Sequence, residues 1–389
     1  MTVPEAAWLA ALAGLPGMGP ARLAALLRGS GSEDAWRDVV GGTARLVPEP
    51  GDESRRAPPA GLIERWRAVA GRVDVDRLWA AHVEAGVRVL AGNDPALPDA
   101  LSGDLEPPAV VFARGDLAVL DRPRVAVVGT RRCTWAGRTW ATRLGADLAS
   151  AGVCVVSGLA LGIDGAAHDG ALSVASGAAP AAVVGTGLDV VYPRRNAVLW
   201  SQVADRGVVL SEYPLGTRPE PWRFPARNRL VAALADVVVV AESHARGGSM
   251  HTVEAALERD VPVMAVPGPV QSPAAAGTNA LLVAGVAPAR DATDVLTVLG
   301  LCAEASRRGS AAGPIPGPMP TGSAVSPPTP PGEAGRVLDA LGHVPATLEQ
   351  VAARLGRPAG PVAVDLARLE REGWAEDRGG WWERREPAM

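Results

Sequence analysis

The sequence predicts an α/β fold built on a doubly wound, mostly parallel Rossmann-like sheet. One unit repeats from Arg124 to about Leu299: a short Val-rich strand, a Gly-containing loop and an amphipathic helix. Its spacing of roughly 24–29 residues suits β-α-β crossovers. The strand segments are apolar on both faces, as a parallel sheet covered by helices requires. Segments with helical patterns before and after this repeat predict two smaller flanking domains.

Each predicted strand is a short apolar run that leads into a loop containing glycine. Because ligands bind at the carboxyl ends of the strands in sheets of this kind, function is expected in these loops. The predicted strands are VAVVG from residue 125, VCVVSG from 153, AAVVG from 181, GVVLSE from 207, DVVVVAE from 236 and VPVMAVPG from 261.

Composition divides the chain of 389 residues into four segments. Residues 1–70 predict a helical SAM-like domain, and residues 71–300 predict the extended Rossmann-like domain. Residues 301–332 are rich in Pro, Gly and Ser and predict a linker, and residues 333–389 predict a winged helix. A polar, Pro-rich loop is expected at residues 42–60.

Local motifs in the two flanking domains support this division. The segment LAGLPGMGPARLAALL (residues 12–27) has the pattern of a helix-hairpin-helix. The helix after such a turn can offer backbone N–H groups to a phosphate, or the turn can be purely structural, and the sequence leaves both open. In the C-terminal domain Thr347 and Gln350 form a capping-box pattern, and a hairpin turn is predicted at Gly379 and Gly380.

Charge and composition exclude some functions. Lysine and arginine together number 38, and the sequence contains no lysine, so every one of them is an arginine. A P-loop of the Walker type needs a lysine, so ATP hydrolysis of that kind is excluded. The net charge of −4 argues against a uniformly basic nucleic-acid binder and leaves local patches to decide.

Three features predict a reduced, cytoplasmic protein. The cysteines Cys133, Cys154 and Cys302 form no C-x-x-C pair. The N-terminal segment MTVPEAAWLAALAG has no basic region and contains Glu5, which argues against a signal peptide. No uncharged apolar run is long enough to cross a bilayer.

Glycine and arginine are concentrated in the loops after the predicted strands, where acidic residues are few. Glycine lets a backbone approach phosphate oxygens closely, and arginine pairs with phosphate through two parallel hydrogen bonds. A solvated charged rim would not explain why both residue types gather on one set of loops, so anion binding is predicted. The arginines are Arg131, Arg132, Arg194, Arg195, Arg218, Arg223, Arg227, Arg229 and Arg246.

The sequence contains no H-E-x-x-H, G-x-S-x-G or paired-carboxylate pattern. Asp164 lies where a helix N-cap belongs, and His168, one turn later, could bond back to that loop or pack internally. The segment RGGSMHTVEAA resembles a degenerate P-G-G-x-G-T-x-x-E motif of phosphoribohydrolases, with Glu254 at the catalytic position. A nucleoside-monophosphate N-glycosidase is therefore an alternative function, whereas the missing G-x-G-x-x-G counts against an NAD-binding oxidoreductase.

Five motifs follow one another along the central domain: VAVVGTRRCTWAG, VVSGLALGIDGAAHDGAL, VVGTGLDVVYPRRN, LSEYPLGTRPEPWRFPARNRLVAAL and GGSMHTVEAALERDVPVMAVPG. Together they resemble the DNA-processing protein A (DprA/Smf) family, in which SAM-like and winged-helix domains also occur. The resemblance implies a non-catalytic, cytoplasmic protein of natural transformation. Such a protein protects incoming single-stranded DNA and helps load the RecA recombinase. A homodimer through the Rossmann-like domain is also implied, and no cofactor, metal or membrane contact is expected.

The resemblance assigns nucleic-acid contacts residue by residue. Arg131 matches the arginine of the family's G-S-R turn, in which Thr130 replaces serine. Residues 224–229 match F-P-x-R-N-R, and residues 248–249 match part of S-G-S. The implied contact residues are Gly129, Thr130, Arg131, Gly158, Phe224, Arg227, Asn228, Arg229, Gly248 and Ser249.

Two further features leave alternatives open. Trp222 could stack on a base or pack within its own loop. The third helix of the winged helix, PVAVDLARLEREG, could contact a DNA duplex. Its acidic character makes contact with a protein partner or autoregulation at least as plausible.

Overall fold

The computed structural model describes residues 3–47, 61–300, 330, 332–342, 345–377 and 379–385. The chain divides into two compact units. The first comprises Met1–Arg131 and Ala141–Leu299, and the second comprises Arg132–Trp140 and Gly300–Met389. The loop predicted for residues 42–60 lies outside the described residues from residue 48 onward. The linker predicted for residues 301–332 also lies outside them, except for residues 330 and 332.

Up to residue 299, the part of the chain that the structure describes forms thirteen α-helices and the strands of one central sheet. The helices are α1 (Glu5–Ala13), α2 (Pro20–Leu27), α3 (Ser32–Gly41), α4 (Leu62–Ala70), α5 (Val75–Glu84), α6 (Asp99–Ser102), α7 (Trp135–Ser150), α8 (Ile163–Ser173), α9 (Ala197–Arg206), α10 (Arg223–Leu234), α11 (Met250–Leu257), α12 (Ala276–Val283) and α13 (Ala292–Val298). Short 3-10 helices span Leu117–Asp121, Arg194–Asn196 and Pro273–Ala275. Within the described ranges, no helix is long and apolar enough to cross a membrane.

The sheet of the first unit has nine strands. They are β1 (Arg88–Ala91), β2 (Val110–Gly115), β3 (Arg124–Val128), β4 (Cys154–Ser157), β5 (Ala181–Val184), β6 (Val208–Ser211), β7 (Val237–Val240), β8 (Val263–Ala265) and β9 (Ala287–Pro288). Their spatial order is β1-β2-β6-β5-β4-β3-β7-β8-β9. β1 pairs with β2 and β2 with β6 in antiparallel fashion, and all pairs from β6 to β9 are parallel.

The prediction of a doubly wound, mostly parallel sheet is confirmed. The six strands predicted from their Val-rich runs are β3 to β8, and β4 to β7 are buried at every position because helices cover both faces. The chain proceeds outward from β3 to β6 and then returns to place β7 on the other side of β3. This reversal creates a crevice at the carboxyl ends of β3 and β7, where such sheets bind ligands.

The N-terminal helices share one hydrophobic core with the sheet. Leu12 of α1, Trp66 of α4 and Phe112 of β2 are fully buried in the same cluster. The indole Nε1 of Trp66 donates a hydrogen bond of 2.9 Å to the carbonyl oxygen of Pro16, in the turn between α1 and α2. These helices therefore belong to the same compact unit as the sheet, and the boundary at residue 70 stays a prediction.

The C-terminal part of the second unit is a small helical domain with a three-stranded sheet. It contains α14 (Glu333–Leu341), α15 (Leu348–Leu355), α16 (Ala359–Arg371), β10 (Ala346–Thr347), β11 (Ala375–Asp377) and β12 (Trp381–Arg384). The capping box is confirmed, because Thr347 accepts from the Gln350 N–H and the Gln350 side chain accepts from the Thr347 N–H. Gly379 and Gly380 turn the β11–β12 hairpin with φ values of 67° and 90°. Three helices and this hairpin form the predicted winged helix.

Helices α7 and α8 pack closely through two glycines. A Cβ atom at Gly145 would overlap the backbone of Ala167, and one at Gly170 would overlap the backbone of Thr142. Because backbone atoms cannot move aside as a flexible side chain does, both glycines are required by the distance between the helices.

Replacing Gly170 with alanine should lower the free energy of unfolding by about 3 kcal/mol, because the two helices must separate. Urea unfolding followed by circular dichroism measures the change. Gly71→Ala is the matched control, since its Cβ would lie 3.4 Å from the carbonyl oxygen of Arg67, an ordinary contact. Equal losses in the two variants would contradict the role of the close helix packing.

His168 of α8 packs internally, which decides between the two roles expected for it. Its ring is fully buried, and Nε2 donates a hydrogen bond of 3.1 Å to the carbonyl oxygen of Ala181. Burial lowers the pKa of His168 from 6.5 to about 4. The folded protein therefore holds a neutral imidazole at neutral pH.

Stability should fall as the pH decreases from 6.5 to about 4, because the unfolded chain protonates His168 in this range and the folded chain does not. The expected loss is about 3 kcal/mol from this group. Thermal unfolding of wild type, His168→Gln and the exposed control His251→Gln over this pH range measures it. A pH dependence in His168→Gln as steep as that of the wild type would rule out His168 as its source.

Candidate nucleic-acid interface

The loops after β3, β4 and β7 touch one another at the carboxyl edge of the sheet. The Thr130 N–H donates to the carbonyl oxygen of Glu242 at 2.7 Å, and the Ile163 N–H donates to the carbonyl oxygen of Thr130 at 3.3 Å. A Cβ on Gly129 would lie 2.8 Å from the Glu242 carbonyl oxygen. Gly162 has φ +81°, and a Cβ there would overlap the Thr130 carbonyl. Glycine at both positions is therefore a condition for these loops to meet.

A small cleft of about 50 Å³ opens beside these loops. It lies where the loops after β3, β4 and β5 approach the first turn of α10. Its walls combine aromatic and aliphatic side chains with two guanidinium groups. The lining residues are Arg131, Gly158, Ala160, Leu161, Tyr192, Pro193, Phe224 and Arg227.

A cation and two aromatic rings form one side of the cleft. The guanidinium carbon of the exposed Arg131 lies 5.0 Å from the centre of the Phe224 ring, within cation–π range. On the same ring, Tyr192 packs with a centroid distance of 5.4 Å and an interplanar angle of 34°. Tyr192 is 40% exposed, so much of its surface is accessible to a ligand.

Arg227 lines the cleft from below and is only 5% exposed. Its Nη1 donates to the carbonyl oxygen of Val183 at the end of β5. A Cβ at Gly158 would overlap this guanidinium, so glycine is needed beside it. Burial lowers the pKa of Arg227 to about 10, and the nearby Asp164 carboxylate opposes that shift. Arg227 therefore remains charged at neutral pH.

The prediction that Asp164 is a helix N-cap is wrong. Helix α8 begins two residues earlier than expected, with Gly162 as its N-cap, so Asp164 lies inside the first turn. Its Oδ2 accepts a hydrogen bond of 3.1 Å from the Gly158 N–H. Burial raises the pKa of Asp164, while the charge of Arg227 acts in the opposite direction. The carboxyl group thus supports the β4–α8 loop and the buried guanidinium.

Three further predicted contact residues lie on α10 and in the loop that precedes α11. The amide Nδ2 of Asn228 donates to the carbonyl oxygen of Gly248 at 3.3 Å. Gly248 is exposed, whereas Ser249 is buried and its Oγ donates to the Oγ of Ser243 at 2.8 Å. The residues at 228, 248 and 249 are therefore brought together, and none of them lines the cleft.

Arg229 is separated from the cleft and pairs within the protein. Its Nη2 bonds the Oε1 of Glu212, and its Nη1 donates to the carbonyl oxygen of Glu106 at 2.7 Å. The side chains of Arg229 and Glu212 are only 13% and 4% exposed. Burial raises the pKa of Glu212, and the hydrogen-bonded guanidinium of Arg229 lowers it. A contact of Arg229 with nucleic acid stays a prediction.

Two other candidates lie outside the cleft. Glu254 is 68% exposed on α11, and its Oε2 lies 3.3 Å from Nδ1 of His251. Trp222 is 44% exposed and packs edge-on against Tyr213, with ring centres 6.2 Å apart. No group of His, Cys, Asp and Glu among the described residues could hold a metal ion.

Tyr192 is an aromatic cleft residue that the sequence-based assignment missed, together with the apolar lining residues Ala160, Leu161 and Pro193. The chain contains only two tyrosines, and this one lies in the predicted ligand-binding loop after β5. The rarity of tyrosine in this chain and the position of Tyr192 in that loop were the two sequence signals that could have identified it as a cleft residue. Its contact with Phe224, which is 32 residues away along the chain (224 − 192), comes from the tertiary structure.

Exposed arginines continue beyond the cleft on the loops after β3, β5, β6 and β7. Because these strands are parallel, their carboxyl ends lie at the same edge of the sheet. The edge therefore carries positive charge on a chain of negative net charge. Besides Arg131 in the cleft, the exposed arginines of these loops in the first compact unit are Arg194, Arg195, Arg218 and Arg246.

A doubly wound sheet with a cleft of arginine and aromatic side chains at its carboxyl edge places this protein in the Rossmann-like class. The sequence profile of DNA recombination-mediator protein A matches residues 88–300, and that of the DprA winged helix domain matches residues 321–380. This chain belongs to the DNA recombination-mediator protein A family, whose members are also named DNA-processing protein A, DprA or Smf.

Relatives and solved structures agree with this membership. DNA processing protein DprA of Bacillus subtilis (strain 168) is 35% identical over 224 residues, which cover 57% of this chain and 75% of the relative. Protein Smf of Escherichia coli (strain K12) is 34% identical over 282 residues, which cover 71% and 72%.

Two solved structures are similar to this chain. The X-ray structure of DprA from Streptococcus pneumoniae has a TM-score of 0.60 and 32% identity, and the match covers 76% of this chain and 98% of that one. A structure that describes the single-stranded DNA binding mode of DNA processing protein A from Helicobacter pylori has a TM-score of 0.50 and 32% identity. That match covers 55% of this chain and 95% of the other.

Replacing Arg229 with methionine should cost about 3–5 kcal/mol of stability at neutral pH, because Glu212 is left buried without its cation. Adding Glu212→Gln to that variant should restore most of the loss, since the remaining amide carries no charge. Urea unfolding of the wild type, both single variants and the double variant gives the coupling energy. Additive effects of the two substitutions would show that the pair contributes no specific interaction.

Proposed function

We propose that this protein binds single-stranded DNA along the carboxyl edge of its sheet, with the cleft at Arg131, Tyr192 and Phe224 as the central contact. The observation that carries the proposal is the placement of the exposed Arg131 guanidinium 5.0 Å from the Phe224 ring, with Tyr192 on the same ring. Single-strand binding needs cations for the phosphates and flat surfaces for the bases, and this arrangement supplies both within one small site.

The strand path follows from the positions of the exposed cations. Arg131 contacts a phosphate while a base lies against the aromatic side of the cleft. The glycines at 129, 158 and 248 and the polar groups at Thr130, Asn228 and Ser249 shape the edge that the strand follows. Arg227 and Arg229, which are buried or half-buried, act mainly by holding this edge in place.

The cellular role proposed here rests on family membership. The protein acts in natural transformation as a non-catalytic mediator that protects incoming single-stranded DNA and helps load a RecA-type recombinase. It works in the cytoplasm as a homodimer formed through the Rossmann-like domain, without a cofactor. Supporting observations are the profile match to a DNA recombination-mediator protein and the similarity to a Helicobacter pylori relative described with single-stranded DNA.

The alternative N-glycosidase function has less support. Glu254, its proposed catalytic residue, is exposed on α11 and pairs with His251 rather than lining the cleft. A catalytic carboxyl group is typically placed in a concave pocket that encloses the substrate. Incubation with nucleoside monophosphates should release no free base above the level of a Glu254→Ala control.

Replacing Arg131 with alanine should weaken the binding of single-stranded DNA and reduce its salt dependence. Loss of one phosphate contact should lower the slope of log K against log salt by about 0.7. Fluorescence anisotropy with a labelled oligonucleotide, repeated over a salt series, measures both quantities.

Arg37→Ala is the matched control, because Arg37 is exposed on α3 and its ion pairs are with Glu33 and Asp34. This variant removes the same charge and should leave the slope unchanged. A wild-type slope in Arg131→Ala, or equal changes in both variants, would rule out Arg131 as a phosphate contact. No binding of single-stranded DNA by the wild type would overturn the proposed function itself.

A further inference from the structure

Arg227 has an unused hydrogen-bond donor beside the cleft. The side chain is buried, and its Nη1 already donates to the carbonyl oxygen of Val183. Its Nε is also buried and has no hydrogen-bond partner among the residues that the structure describes. Buried donors are nearly always paired in native proteins, so an unpaired one beside a ligand cleft suggests that a ligand supplies the acceptor.

The walls of the cleft suit the edge of one flat ring. Tyr192 and Phe224 supply aromatic surface, and Leu161 and Pro193 add aliphatic surface. The volume of about 50 Å³ exceeds the space that one ordered water needs but is too small for a whole nucleotide. A hydrated phosphate gains little from such walls, whereas a base gains stacking on them.

The charged side chains at the cleft are donors. Arginine has no acceptor atom, so Arg131 and Arg227 offer N–H groups alone. Asp164, whose negative charge raises the pKa of Arg227, already accepts a hydrogen bond of 3.1 Å from the backbone N–H of Gly158. A ligand edge that carries a carbonyl oxygen is matched to this surface, whereas an edge with an amino group places donor against donor.

We infer that the cleft selects a base with a carbonyl oxygen on the edge that enters it, and that Arg227 is the residue that determines this selectivity. The inference rests on the proposed function and adds to it a chemical preference among bases. Uracil and thymine carry a carbonyl oxygen at position 4 of the ring, where cytosine carries an amino group. Tyr192 and Phe224 stack on the ring of the base, and Arg227 donates a hydrogen bond to its carbonyl oxygen.

Equal-length oligo(dU) and oligo(dC) test the inference, because uracil presents a carbonyl oxygen at position 4 and an N–H at position 3, where cytosine presents an amino group and an unprotonated nitrogen. Competition anisotropy is measured with the full chain at mildly alkaline pH, where cytosine is neutral. The wild type should bind oligo(dU) about five- to tenfold more tightly, the ratio expected for one satisfied hydrogen bond. Equal affinities would overturn the inference.

Arg227→Lys identifies the residue that reads the base. Lysine keeps the positive charge near Asp164 but has no Nε–H at the position of the guanidinium. This variant should bind the two polymers with equal affinity. If it kept the full preference for oligo(dU), Arg227 would not be the selective residue. Should it fail to fold by circular dichroism, the wild-type ratio still decides whether the cleft is selective.

Tyr192→Leu and Tyr192→Phe form a matched pair for the stacking wall. The phenylalanine variant keeps the ring and should bind oligo(dU) like the wild type, whereas leucine should weaken binding about fivefold or more. Equal effects of both substitutions would contradict the stacking role of Tyr192. If the wild type bound neither polymer, the proposed function would be refuted. If it bound both polymers with the same affinity, only this inference would be refuted.

Discussion

The carboxyl edge of the sheet depends on the contacts that the buried guanidinium group of Arg227 makes with its neighbours. The guanidinium bonds the last residues of β5 through Val183, lies against Gly158 after β4, and has the carboxyl group of Asp164 in its electrostatic environment. One side chain from α10 therefore connects two strand ends and the start of α8. Because a buried charge is costly without compensation, these groups must keep their positions relative to one another.

This arrangement divides the arginines of the edge into two groups with different tasks. Arg227 and Arg229 bond groups within the protein and give the edge its shape, and the Nε of Arg227 is the donor left for the proposed base contact. Arg131 remains exposed on a loop whose backbone is held by the Glu242 carbonyl, and its guanidinium is oriented by the Phe224 ring. A ligand-binding cation held in this way loses less conformational entropy when it meets a phosphate.

Much of the fold could be predicted because its signals are local. Val-rich runs with a regular spacing identified β3 to β8, and the capping box at Thr347 and the Gly379-Gly380 turn depend on neighbouring residues. The error at Asp164 is also local: the helix begins at Ile163, two residues earlier than the pattern suggested. The carboxyl group then bonds the preceding loop instead of capping the helix.

The sequence by itself determined the α/β class, the order of the strands along the chain and the set of loops that carry Gly and Arg. Those properties follow from hydrophobic periodicity and residue chemistry, which act over short stretches. Only the tertiary structure decided which of these residues meet. It joined Tyr192 to Phe224, buried Arg227 beneath them and paired Arg229 with Glu212. Such contacts bring together residues from different crossovers, and the spatial order of the strands, which sequence spacing does not encode, sets their distances.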